Sequence, residues 1–355
     1  MRINRFLPIS PTFAALASAI LFGGSTPFAK QLIGDFSPLL LAGLLYLGSG
    51  IGLMLMRLIK YRGWQHSGLL TDDWPWLLGA IFFGGTLGPI LLMMGLKQTS
   101  ASVASLLLNL EAVFTALLAW VVFKESTERR IVLGMLLIVA GSIVLSWPSK
   151  TASIPNWWGT ITIAGACMCW AIDNNLTRKV SAGEPLFIAG SKGLVAGVVS
   201  TSFALGLGTT FPHWSLVSYA LMVGFIGYGA SLVLFVLALR GLGTARTGAY
   251  FSTAPFIGAG IAILFLNEPT SALLWIAIIL MGLGVYLHLT EHHEHDHTHE
   301  LLSHSHNHIH NEHHRHEHDF FWDGSEPHSH LHHHDAIRHF HPHYPDIHHR
   351  HTHHK

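Results

Sequence analysis

Charge is scarce in this chain. Only 11% of its 355 residues are Asp, Glu, Lys or Arg, while half are hydrophobic, a balance that excludes an ordinary soluble globular fold. Cysteine is nearly absent, with Cys167 and Cys169 as the two examples. At i and i+2 on a helix they point about 200° apart, so neither a disulfide nor a shared metal is expected, and both read as small buried hydrophobes. No GxxxxGK[ST] loop occurs, which excludes ATP drive from within this chain. Ahead of residue 288 the only histidines are His66 and His213, each alone on a connection. No nucleophile–His–acid set follows from them, so the chain is not expected to be an enzyme. Nucleic acid is not an expected partner.

Long apolar runs are what the chain does have. Ten lie at roughly 12–32, 38–58, 75–96, 100–123, 130–147, 157–177, 185–207, 214–238, 244–266 and 271–289. About 20 apolar residues let a helix cross ~30 Å of hydrocarbon, and a spanning segment must satisfy its own backbone. Uninterrupted runs exclude the alternation of a lipid-facing barrel. The expectation is an all-α integral membrane protein in a lipid bilayer. Arg2, Arg5 and "ALASA" imitate a signal peptide, but a retained first helix is preferred because the second half holds its counterpart.

The net charge of zero conceals two opposed parts. Residues 1–287 carry 16 Lys/Arg against 9 Asp/Glu, and residues 288–355 carry 4 against 11. The tail also holds 27 of the 29 histidines. With the N-terminus inside, Arg2, Arg5, Arg57, Lys60, Arg62, Lys124, Arg129, Arg130, Arg178, Lys179, Arg240 and Arg246 fall on the inner side. Only Lys30, Lys97 and Lys150 fall outside. Basic residues stay on the cytoplasmic side, so both termini are expected there.

The chain also repeats itself. "GLKQTSASVASLLLNLEAVFTALLAWVVFKE" (95–125) lies over "ALRGLGTARTGAYFSTAPFIGAGIAILFLNE" (238–268) at an offset of 143, with Glu125 on Glu268. Nearer the start, "FGGSTPFAK" (22–30) lies over "WAIDNNLTR" (170–178), and "SPLLLAG" over "EPLFIAG". Five spans per copy is odd, so the second copy enters the membrane inverted, and inverted repeats put a substrate path near the midplane where they meet. The divisions are 10–147, 155–289 and a tail, 290–355.

These residues resemble the EamA type of the drug/metabolite transporter superfamily, across roughly residues 10–289. "WAIDNNLTRKVS" (170–181) and "TAPFIGAGIAILFLNEP" (253–269) carry the likeness best. The resemblance implies ten helices, cytoplasmic termini and export of a small solute by exchange or an ion gradient. For a prokaryotic source that means the inner membrane, with a homodimer as the candidate assembly. The first copy departs from the pattern, reading Glu111-Ala112 where the second has Ala254-Pro255 and the family commonly has Pro in both.

Ionisable groups at membrane depth cost about 2.5–3.5 kcal/mol on insertion scales and usually face a cavity or a partner. Glu111 falls mid-span, Lys192 about one turn from the middle of its span, and Asp173 near an inner helix end beside Asn174 and Asn175; Asn109 joins them as a path candidate. Glu111 and Lys192 read either as a buried ion pair or as a substrate or proton site. "DNN" reads either as a helix end turned to water or as a cavity lining. Glu125 and Glu268 are expected to share a structural role, accepting hydrogen bonds where a helix ends. The glycines of "FFGGTLGPI" (82–90) and "GFIGYGAS" (224–231) read as close helix packing, with Pro89 able to break a helix beside the path.

The tail is polar, acidic and low in complexity, so no fold of its own is expected. Imidazole binds zinc, copper, nickel and iron. Candidate ligands are His292, His293, His295, His297, His299, His304, His306, His308, His310, His332, His333 and His334. Weak multidentate binding of nickel, cobalt, zinc or copper is expected, no fixed tetrahedral spacing being present. No cofactor is required. Three readings follow: a tail that feeds metal to an exporter, with nickel, cobalt or zinc as leading cargo; a metal or pH sensor on an exporter of organic solutes; or a metal buffer without effect on flux.

Overall fold

The computed structural model describes residues 10–63, 67–121, 129–147, 157–181, 183–290 and four short tail segments. The first repeat starts with α1 (Pro11–Leu32) and α2 (Pro38–Tyr61). Each opens with Pro in its first turn after a serine, Ser10 or Ser37, whose hydroxyl accepts from a backbone N–H three residues on. That is a start signal written in sequence. Next comes α3 (Trp74–Ala80), which passes through a π-helical stretch (Ile81–Leu87) into α4 (Gly88–Gln98). Then α5 (Ala101–Leu107) breaks at Leu108–Asn109 before α6 (Leu110–Val121), and α7 (Arg129–Leu145) closes the repeat.

The second repeat follows the same course. It has α8 (Trp158–Val180), α9 (Pro185–Gly206), α10 (Trp214–Val223), a π-helical stretch (Gly224–Ala230), α11 (Ser231–Phe251), α12 (Ala254–Phe265) and α13 (Ala272–Leu289). The two π-helical stretches are 143 residues apart, the offset of the sequence repeat. The glycine runs 82–90 and 224–231 are therefore kinks as well as packing surfaces, since a π turn relaxes the regular ladder. Pro89 lies at the start of α4, directly after the kink. The α5–α6 break forms without a proline and matches the α11–α12 break at Ser252–Thr253.

Eight helical stretches among the described residues are long and apolar enough to cross a membrane. The other two expected spans fall short for visible reasons. At 17 residues α7 is too brief, and α8 is diluted by Asp173, Asn174 and Asn175.

Packing follows the repeat. The equivalent helices α2 and α9 lie against each other, as do α7 and α13, while α1 packs on α11 and α12 and α8 on α4 and α6. Gly50 of α2 meets the backbone of Gly193 and Leu194, and Gly134 meets the carbonyl of Gly284; neither has room for a Cβ. In lipid, where apolar contact alone drives little association, such close approaches hold helices together.

The tail contains four strands, β1 (Glu294–Thr298), β2 (Leu302–His308), β3 (His328–His334) and β4 (Arg338–Pro342), paired antiparallel as β1–β4 and β2–β3. Two-stranded ladders are marginal in water, and this composition offers little apolar surface to support them.

Candidate functional site

The polar residues at membrane depth gather on one side of the seam between repeats, around α8. The π-helical stretch Ile81–Leu87 packs against both α8 and α9. Lys192 of α9 reaches over it to α8, its Nζ lying 2.6 and 2.8 Å from the two Asp173 carboxylate oxygens. Lys192 also donates to Thr177 Oγ1 at 3.1 Å, and Thr177 donates to Asp173 Oδ1 at 2.9 Å. Lys192 is 1% exposed and Asp173 6%. The bridge crosses where the kink carries two glycines: a Cβ on Gly84 would collide with the Asp173 carboxylate, and one on Gly85 would press on Ala196. Glycine is needed here for its missing side chain.

Of the two readings left open for Glu111 and Lys192, a buried pair between them does not form, because Lys192 is bound to Asp173. Lys192 stands as far beyond the α8–α9 turn as Asp173 stands before it, and that symmetry selects the partner. Asp173 is correspondingly no water-facing helix end. It lies seven residues, or about 10 Å, inside the last residue of α8.

Glu111 opens the first turn of α6, just after the Leu108–Asn109 break. Its Oε1 accepts from Asn174 Nδ2 at 2.7 Å. Asn174 adjoins Asp173 on α8, so α8 touches two partners from neighbouring positions: Asp173 toward α9, Asn174 toward α6. The other two asparagines stand apart. Asn175 donates back to Ala171 O of its own helix at 2.9 Å. Asn109 donates to Leu106 O at 3.0 Å and lies 3.8 Å from Met281 Sδ of α13, its Oδ1 unpartnered among the described residues.

Aromatic rings adjoin this set. Tyr46 Oη and Trp170 Nε1 both donate to the carbonyl of Gly84, at 2.7 and 3.0 Å, a carbonyl in the π-helical kink. Phe22 lies edge-on to Trp170 and to Tyr228, each at 5.7 Å, and 5.3 Å from Phe251; Tyr46 and Tyr228 are 5.4 Å apart. Phe22 and Trp170 are equivalent positions of the repeat, so their contact marks where the two copies meet. Phe22, Phe251, Glu111 and Asn174 are half-buried.

Two further polar contacts tie the helix ends. Arg57 Nε lies 2.5 Å from Glu184 Oε2, joining the last turn-and-a-half of α2 to the start of α9, with the guanidinium carbon 5.2 Å from the Phe187 ring centroid. Arg57 was counted as a connection charge, yet it is 1% exposed; its place inside an apolar run was the signal. At the opposite membrane face, Glu268 accepts from the backbone N–H groups of Ala101 and Ser102 at 2.7 and 2.8 Å, capping α5 of the other repeat. Beside it Lys30 donates to Leu96 and Thr99 carbonyls at 2.5 and 2.6 Å, closing the end of α4. Glu125 lies outside the described residues.

Of the tail histidines, His295, His297, His304, His306, His308 and His332 to His334 fall in strands, with His304 opposite His332 and His306 opposite His330. His292, His293, His299 and His310 lie outside the described residues. No group of three or more metal-ligating side chains occurs among the described residues.

Known proteins match this arrangement. The EamA-like transporter family matches residues 10–147 and 157–290, and the chain belongs to that family. An uncharacterized transporter of Methanothermobacter thermautotrophicus is 29% identical over 288 residues, covering 77% of this chain and 84% of its own. The uncharacterized inner membrane transporter YedA of Escherichia coli is 23% identical, covering 80% of this chain and 94% of its own. A solved crystal structure matches with a TM-score of 0.60 at 19% identity, over 78% of this chain and 95% of that one, a likeness of fold. The chain is thus a multi-pass membrane transporter.

Proposed function

We propose that this chain exports a small organic solute along the seam between its inverted repeats, past Glu111, Asn174 and the aromatic faces of Phe22, Trp170 and Phe251. The single observation carrying this reading is that Asn174, which donates to the half-buried Glu111 carboxyl group, lies one turn along α8 from Trp170, whose ring meets Phe22 of the equivalent helix. A path needs a polar contact to orient cargo and apolar surface to hold its body. It also needs hinges, and the matched kinks and helix breaks supply four. Both termini are assigned to the cytoplasm on the basic-residue bias, and Asp173–Lys192 is assigned to holding α8 and α9 together.

A second reading has specific support in the 26 histidines of residues 290–355: export of nickel, cobalt or zinc, captured by the tail and delivered to the mouth of the path. A tethered ligand works at millimolar effective concentration when its linker reaches. The path itself fits this cargo less well, because one carboxyl group and amides favour hard ions over these metals. One comparison separates the two: metal-sensitive cells expressing the full chain or a chain ending at Thr290. The organic reading expects unchanged cell nickel, cobalt and zinc in both, and raised tolerance to toxic organic solutes that survives truncation. Lower metal content with the full chain alone would overturn it in favour of metal export.

A further inference from the structure

We infer that the tail holds divalent transition-metal ions in a row of two-histidine sites, each built from one histidine on either strand of an antiparallel ladder. Such sites exist whatever the path carries, and backbone register is what points to them. In β2–β3 the strands set His304 opposite His332, His306 opposite His330 and His308 opposite His328. In β1–β4 they set His295 opposite His341 and His297 opposite His339. Directly opposed positions share a face of an antiparallel ladder, and so do positions two apart along a strand. Three histidine pairs therefore stack on one face of β2–β3, and two on one face of β1–β4. The strand histidines outside this scheme are His333, opposite Ser303, and His334, opposite Leu302.

A one-residue slip would undo the pairing, setting His306 opposite Ser329 or Leu331. Apolar burial does not choose the register. β2 and β3 carry one apolar residue each, Leu302 and Leu331, and the register puts these on opposite faces. A shared ion does choose it. Neutral imidazole is a good ligand for nickel, copper and zinc. Opposed residues have Cβ atoms about 4.5–5.5 Å apart, a span that two imidazoles close on one ion with bonds of about 2 Å. Successive pairs lie about 7 Å apart along the strands, so each takes its own ion and water fills the remaining positions. The site has two protein ligands and is repeated, unlike a closed tetrahedral set. Ion and ladder support each other: the ion joins the strands, and the tether holds the second imidazole at millimolar effective concentration.

Nickel alone tests this, titrated by calorimetry at pH 7.5 into the full chain in detergent, purified without an added histidine tag. One ion per opposed pair, five in all, should bind in a tight class. That class should be at least about tenfold tighter than the rest, the gain from a second tethered imidazole. Substitutions then count the pairs. His306→Ala should remove one ion from the class. His306→Ala/His330→Ala should remove no more, since the two stand in one pair. His306→Ala/His332→Ala should remove two, since it opens two pairs. His313→Ala/His314→Ala changes histidines that belong to none of these pairs and should leave the class intact. Matching thermal unfolding of the helices shows that the membrane part is unchanged in each variant. Loss of two ions from His306→Ala/His330→Ala, loss from His313→Ala/His314→Ala, or no tight class at all would overturn the inference.

Discussion

The two repeats share a backbone and differ in chemistry. Each has a proline-started second helix, a π-helical kink 143 residues from its partner, and a broken fourth helix. At equivalent positions, though, Ser25 stands for Asp173, Thr26 for Asn174, Leu45 for Lys192 and Ala254 for Glu111. On the α1 side, Gly23 lies so close to the Ala254 backbone that a Cβ would not fit. On the α8 side, the same junction holds a carboxyl–amide pair. Symmetry of the backbone therefore provides two sets of kinks and breaks, and asymmetry of side chains puts the polar contacts on one of them. One half supplies close packing at the seam; the other supplies the polar contacts.

The strongest way to break this contrast is to remove one charge. Lys192→Met strands Asp173, and Asp173→Asn strands Lys192; each single change should cost about 3–5 kcal/mol, because an uncompensated buried charge remains. The double variant should recover most of that loss in thermal unfolding in detergent. Failure of the double variant to recover would mean that the two groups do not act as a pair. Leu45, the equivalent of Lys192, should accept Met at a cost of under about 1.5 kcal/mol.

The glycines come next in size. Gly84→Ala drives a methyl into the Asp173 carboxylate, and Gly227→Ala, its equivalent, drives one into Ser25. Overpacking costs about 1–3 kcal/mol, and the two should differ in kind. Gly227→Ala is expected to lower stability alone. Gly84→Ala is expected to lower stability and to become milder in an Asp173→Asn/Lys192→Met background, which a double-mutant cycle would read directly. Additive losses would show that the methyl and the ion pair do not meet.

Much of this was legible in the sequence, for physical reasons that also explain the rest. Spans, repeat and family follow from apolar run length and register, which the bilayer imposes over many residues at once. The equivalence of Phe22 with Trp170 was there in the overlay of 22–30 on 170–178. The Lys192 partner was missed because depth estimates treated each span separately, whereas a helical hairpin fixes pairs by distance from its turn. Arg57 was missed because positive charges near span ends ordinarily report sidedness; this one turned inward to Glu184. The α5–α6 break has no Pro or Gly to announce it, and the π-helical kinks read as glycine packing because their composition serves both.

The smallest of these energetic predictions concerns the contact that joins the halves at their ends. Glu268 gives both carboxylate oxygens to the first two N–H groups of α5, so Glu268→Gln replaces two charge-assisted bonds with at most one neutral acceptor. The expected loss is about 1–2 kcal/mol, the range for a lost helix cap. Asp at the same position is a methylene shorter and should recover little of it. The contact also bears on gating, because it ties α12 of one repeat to α5 of the other at the face where Lys30 closes α4. If that face must open for solute to leave, weakening the cap should speed exchange in proteoliposomes even as it lowers thermal stability. A variant both less stable and slower would instead make Glu268 a plain structural cap, and the hinges would have to be sought at the kinks alone.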